Sequence, residues 1–245
     1  MSDAMEEASS GAAAAGRTSC LADGLKTAWP ICLGFIPIGL SFGVLAQKAG
    51  LGPVHVLLMS TVVFAGSSQF IAVSMLQGGA SAAAIVATTF VVNLRHLLMS
   101  SAMSVRFPGV RKRFLALFAY GVTDESFAVN MACFRKEGWD RWRALAVNHI
   151  TNLCWIVSTV AGVYIGDMVP AGAFGIDFAL PAMFICLLIF QFRERLHMVT
   201  AVIAALLSVS FSLIFTGNGH VIAASCGAAT IGFLLKRRAK RRGDA

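Results

Sequence analysis

The chain has 245 residues, of which 57% are hydrophobic and only 13% charged. Soluble domains carry roughly 25% charged residues, so this composition excludes a soluble fold and describes an integral membrane protein. The formal charge of +8 gathers in short segments between apolar runs, as in Lys236–Arg242; this is the topogenic, lipid-facing use of Lys and Arg, not the spread basic face of a nucleic-acid binder.

Residues 1–20 are rich in Ala, Ser and Gly and carry Asp3, Glu6 and Glu7, a composition typical of a disordered tail. They lack the positive start and compact apolar core of a cleaved signal. The expected organisation is therefore a tail (1–20), an all-α polytopic permease domain (21–236) and a basic C-terminal tail (237–245).

The first apolar run, about Ala28 to Gln47, contains Pro37 with Gly39 and Gly43 after it. Proline removes a backbone donor and bends a helix, and Gly39 and Gly43 stand in the small-xxx-small register that lets backbones approach closely. The segment reads either as a packing kink or as a hinge on a solute path.

The second run, about Pro53 to Leu76, holds Ala65-Gly66-Ser67-Ser68-Gln69-Phe70 at its centre. Four small residues and an amide suit an unwound patch lining a cavity, where irregular backbone at depth is tolerated. The third run, about Ala80 to Val105, carries Thr89, Asn93 and His96 four and three apart on one face. Arg95 lies off that face, so either the helix breaks near Asn93 or Arg95 points into a separate wet crevice. An ionised side chain at mid-bilayer costs roughly 2.5–3.5 kcal/mol or more. His96 reads as a packing residue or as a carrier of protons.

The fourth run, Phe114 to Phe134, carries Gly121-Val122-Thr123-Asp124-Glu125-Ser126. No acidic residue occurs between Gly24 and Thr123, and adjacent carboxylates in an apolar run need a partner or a proton. Arg95 is the basic candidate at similar depth; the other reading leaves both acids solvated at an interface. Thr123, Ser126 and Asn130 continue a polar stripe. The fifth run, Ala144 to Met168, places Asn148, Asn152 and Trp155 on one face with His149 beside them.

A short run from Phe178 to Phe192 and two more, about Met198 to Phe215 and Val221 to Leu235, make seven or eight hydrophobic segments. Eight full crossings would put Arg106–Arg113 outside, against the positive-inside rule. One segment should therefore be broken or re-entrant, the third being the first candidate and the sixth the second.

Six single cysteines, with no CxxC and no histidine at ligand spacing, argue against a disulfide framework or a metal site. No P-loop, HExxH or GxSxG pattern is present, so neither an enzyme nor a cofactor is expected. A channel for a small solute or ion is the alternative to a transporter, but repeated filter motifs of the channel kind are missing from the sequence.

The motifs FIPIGLSFG (Phe35–Gly43), FAGSSQF (Phe64–Phe70), NLRHLLMS (Asn93–Ser100), GVTDESFA (Gly121–Ala128) and LPAMF (Leu180–Phe184) occur in that order. Together they resemble the AzlC-type family, the large subunit of branched-chain amino acid exporters. The resemblance implies a permease of the cytoplasmic membrane that works with a small AzlD-type subunit. It also implies efflux of valine, leucine, isoleucine and sometimes methionine. Asn93 stands where relatives carry aspartate, and Met99 where an aromatic is common. On this reading Arg95, or backbone N–H groups near Ser67 and Ser68, meets the carboxylate of a zwitterionic amino acid, and Gly66 and Asn93 belong to the same binding set. Asp124 or Glu125 meets the ammonium, and Gln69 and Phe70 complete the pocket. His96, Asp124 and Glu125 are the candidates for proton coupling, with Pro37, Gly39 and Gly43 as a hinge.

Overall fold

The computed structural model describes residues 2–135, 138–166, 195–213 and 227–235, with single positions at 168, 178, 182, 185, 189, 224 and 237. Side-chain surroundings begin at Cys20. No strand occurs among the described residues. The run Phe178–Phe192, LPAMF, the links Gln191–Arg195 and Thr216–His220, and the basic tail fall largely or wholly outside them.

The chain divides into two compact units, Met1–Leu180 and Pro181–Ala245. In the first, α1 (Ser2–Lys48) is followed by two shorter helices, α2 (Pro53–Val62) and α3 (Gly66–Gln77). A long α4 (Ala82–Ser104) comes next, then a second short pair, α5 (Lys112–Tyr120) and α6 (Asp124–Cys133), and a long α7 (Arg141–Gly166). The second unit contains α8 (Arg195–Ser212) and a helical stretch over 227–235. There Gly232 meets α8 closely: a Cβ on it would stand 2.8 Å from the Thr200 side chain.

Among the described residues, three helices are long and apolar enough to cross a bilayer: Cys20–Lys48, Ala82–Ser104 and Arg141–Gly166. The short pairs behave differently. At about 1.5 Å per residue, the 10 residues of α2 and 12 of α3 rise roughly half of a ~30 Å hydrocarbon core each. The same holds for α5 and α6, with 9 and 10 residues. Each pair is one apolar run interrupted near its middle, and each interruption is three residues long, at 63–65 and 121–123.

These positions correct the expectation that the third run is broken. α4 is continuous across Asn93, Arg95 and His96. It contains neither Gly nor Pro, and Ser81 caps its start by accepting from the Ala84 N–H at 3.3 Å. Asn93, Arg95 and His96 find partners outside α4, so the backbone has no need to unwind to meet them. The breaks fall where glycine and capping residues sit. At the first, Phe64 is held at φ +31°, in the left-handed region that a bulky residue rarely enters; its ring is buried and fixes the turn. At the second, Thr123 and Ser126 form a reciprocal cap: the Ser126 N–H donates to Thr123 Oγ1 (3.2 Å) and the Thr123 N–H to Ser126 Oγ (2.9 Å).

The frame is the contact between α1 and α7. A Cβ on Gly39 would lie 2.9 Å from Ser158 Cβ, and one on Gly43 2.7 Å from both Gly162 Cα and Val163 N. Gly162 in turn faces Leu40 and Gly43. Close backbone approach of this kind is how helices pack where lipid is as apolar as their own side chains. Pro37 lies inside α1, and its carbonyl accepts from Ser41 Oγ at 2.9 Å. Arg143 on α7 pairs with Asp23 on α1 at 2.9 Å.

Aromatic packing fills the interior in two clusters. Phe35, Phe42, Phe64, Phe70 and Trp155 belong to the first, with Phe42 and Phe70 edge to face at 5.1 Å. Met103, Phe107, Phe118 and Val122 form the heart of the second. The outer face of α4 presents Val86, Phe90, Leu94, Leu97 and Leu98, an apolar surface of the kind hydrocarbon solvates.

Candidate functional site

Arg95 stands two residues past Asn93, the midpoint of the α4 span. Its guanidinium reaches two helices at once. Nη1 pairs with Asp124 Oδ2 at 2.7 Å, in the first turn of α6, and Nη2 donates to Ser67 Oγ, in the first turn of α3. Two residues earlier on α4, Asn93 Oδ1 accepts from Ser68 Oγ. Both breaks therefore meet α4 at mid-depth, and the charge that lipid would expel is balanced there.

His96 takes the other side of the second break. Its Nδ1 lies 2.8 Å from the Val122 carbonyl. A carbonyl only accepts, so Nδ1 carries the proton in this bond. The ring's Nε2 is buried without a partner, as is Nε of Arg95. Orphaned buried polar atoms are rare and call for an explanation; here two lie on neighbouring residues beside an ion pair. Asp124 and Arg95 each keep 30% of their side chains exposed. Glu125, next to Asp124, makes no ion pair among the described residues.

The first turn of α3 adds donors. Its N-cap residue, Ala65, supplies no side-chain cap, and the first bond its carbonyl receives comes from the Gln69 N–H. The N–H groups of Gly66, Ser67 and Ser68 precede that bond, where a helix has no acceptors of its own. Gly66 packs tightly on its other side, where a Cβ would come 3.0 Å from the Trp155 ring. Asp124 and Glu125 fill the equivalent turn of α6, where carboxylates suit the helix dipole.

Not every expected residue is in the cluster. Gln69 is fully buried: its Oε1 accepts from Trp155 Nε1 (2.8 Å) and its Nε2 donates to Ser60 Oγ (3.0 Å), which bonds Thr159 Oγ1 (2.9 Å). Phe70 is equally buried, against Phe42. Both lie in the core behind the site. Thr89 bonds back to Ile85 and Val86 carbonyls of its own helix. Asn130 and Asn148 bond each other at 3.0 Å, and Asn148 also donates to the Phe118 carbonyl at the end of α5. A cavity of about 210 Å³ between α4 and α5, lined by Ser100, Ser101 and Ser104 among others, lies away from the ion pair.

Ser60 and Thr159 lie outside the quoted motifs, and only their place in the Gln69 ladder reveals them. Val122 lies within GVTDESFA, but only its position opposite His96 reveals what its carbonyl does. The Gln69 ladder supports a direct test: Trp155→Phe keeps an aromatic side chain but removes the indole N–H, which leaves Gln69 Oε1 buried without a donor. The expected loss is about 1–3 kcal/mol, read as a thermal midpoint several degrees lower in detergent; an unchanged midpoint would mean that the ladder does not hold α3 to α7.

The motif residues and this geometry fall inside one matched region: a family model described as AzlC protein covers residues 30–169. The chain belongs to the AzlC family. The branched-chain amino acid transport protein AzlC of Bacillus subtilis is 30% identical over 196 residues, 80% of this chain and 77% of that protein. The inner membrane protein YgaZ of Escherichia coli is 29% identical over 197 residues, 77% of this chain and 80% of that one. An uncharacterized membrane protein of Archaeoglobus fulgidus is 29% identical over 208 residues, 83% and 90% of the two chains. No solved structure matches the chain. It is thus an AzlC-family, multi-pass membrane transport protein and not an enzyme, and the AzlC match spans the whole ion-pair cluster.

Proposed function

We propose that this AzlC-family chain is the large subunit of a secondary exporter of valine, leucine, isoleucine and methionine. In this reading it works in the cytoplasmic membrane with a small AzlD-type subunit and is driven by the proton gradient. The observation that carries the reading is the Arg95–Asp124 pair, held at mid-depth between the first turns of two interrupted helices. Interrupted helices that present their N-terminal ends to a midplane site are a recurring device of secondary transporters.

An amino acid in zwitterionic form is itself an ion pair, so it can enter between Arg95 and Asp124 without leaving net charge buried. Its carboxylate meets Arg95 and the free N–H groups of Gly66, Ser67 and Ser68; its ammonium meets Asp124 or Glu125. Asn93 fixes Ser68, while Gln69 and Phe70 support the α3 turn from behind. His96, Asp124 and Glu125 offer proton acceptors within the same cluster. The similarity to a branched-chain amino acid transport protein supports the substrate class.

Cells fed a valine-containing dipeptide test the reading. Those that express this chain with its small partner should accumulate less intracellular valine than cells lacking both, and the difference should shrink when the proton gradient is collapsed. Equal valine, leucine, isoleucine and methionine pools in the two strains would refute it.

A further inference from the structure

The two interrupted helices match in more than length. Gly66-Ser67-Ser68 opens the helix after the first break, and Asp124-Glu125-Ser126 opens the helix after the second. Arg95 holds the second residue of one opening turn, Ser67, and the first residue of the other, Asp124. The third residues of the two turns, Ser68 and Ser126, are both fully buried. Each interrupted pair also follows a long helix, α1 or α4. The first unit thus contains two equivalent arms, joined on the α3 and α6 side by one guanidinium.

A second tie joins them on the α2 and α5 side. Tyr120 is the last residue of α5, and its hydroxyl donates to the carbonyl of Thr61, in the last turn of α2. Carbonyls at a helix end have run out of helical donors, and in lipid such a group must find one within the protein. The same hydroxyl accepts from Asn152 Nδ2 on α7 at 3.4 Å. The Tyr120 ring also lies 6.3 Å from Phe64, the residue with positive φ at the first break, and edge-on to His149 at 6.4 Å.

We propose that Tyr120 is a positioning residue that locks the two breaks to one another and thereby sets the spacing of Ser67 and Asp124 around Arg95. Its ring is 38% exposed and touches neither Arg95 nor Asp124 in any recorded bond, so it acts through the two backbones and not on the solute. The lock rests on the exporter reading only for its effect on amino acid affinity; its effect on the backbone stands apart.

Tyr120→Phe in the full chain separates the two. Hydrogen exchange of the chain in lipid nanodiscs should speed up in peptides covering residues 58–66 and 118–126, while α7 peptides covering 147–163 keep their wild-type rates. Valine flux in inside-out membrane vesicles that hold the chain together with its small partner should show a KM raised about fivefold, the worth of one lost hydrogen bond, with the maximal rate changed less than about twofold. Unchanged exchange over 58–66 overturns the lock, and so does faster exchange throughout α7, which would mark a general loss of stability. Faster exchange at both breaks with an unchanged KM overturns the link to binding. If wild-type vesicles move no branched-chain amino acid, the exporter reading fails, and the exchange rates alone decide for or against the lock.

Discussion

Arg95→Ala is expected to reduce branched-chain amino acid efflux to background while the protein remains in the membrane at wild-type abundance. Truncating one partner of a hydrogen-bonded charge pair costs about 2–5 kcal/mol where the pair is desolvated, equivalent to a loss of about thirtyfold or more. Two further variants separate binding from folding. Arg95→Lys keeps the charge but not the planar fork that reaches Ser67 and Asp124 together, so it should retain only part of the activity. The neutral double variant Arg95→Gln with Asp124→Asn removes both charges, leaves neither one uncompensated, and should be as stable as the parent. If the pair serves only to hold α4 to α6, the double variant will transport; if it is where the zwitterion docks, it will not. Abundant, fully active Arg95→Ala protein would remove Arg95 from the site altogether.

The second large effect falls on assembly. Gly43→Ala should abolish stable accumulation, because the new methyl would strike the Thr159 carbonyl and come within 2.7 Å of Gly162 Cα and Val163 N. All three are backbone atoms, which cannot turn aside as a side chain can. Overpacking costs about 1–3 kcal/mol, occasionally more, and rigid backbone on the far side puts this case at or above the upper figure. Gly34→Ala is the matched control: it lies on the same helix with nothing within 4 Å of the added carbon. Abundance of a fluorescent fusion and its thermal midpoint in detergent should fall sharply for the first and hold for the second. Equal behaviour of the two would mean that α1 and α7 do not meet as described.

Apolar run lengths and low charge were enough to determine the membrane environment, because a hydrocarbon core imposes both on any helix that crosses it. Gly39 and Gly43 declared a close helix contact by their spacing alone, though not that the partner would be Gly162 on α7. Arg95 and Asp124 were recognisable as a pair because lipid leaves an isolated charge so few alternatives. The ordered motifs likewise led to the AzlC family, which the family match over residues 30–169 establishes.

Only the tertiary structure decided where the backbone breaks. The polar residues of α4 look like a reason to unwind it, yet Asn93, Arg95 and His96 each find a partner in Ser68, Ser67, Asp124 or the Val122 carbonyl. Those partners lie 25 to 29 residues away in sequence, beyond the reach of any helical periodicity. The same holds for Gln69, which a motif reading assigns to the solute and the fold assigns to Trp155 and Ser60. Local pattern dictates what a helix must bury or satisfy; which distant group does the satisfying depends on how the helices come together.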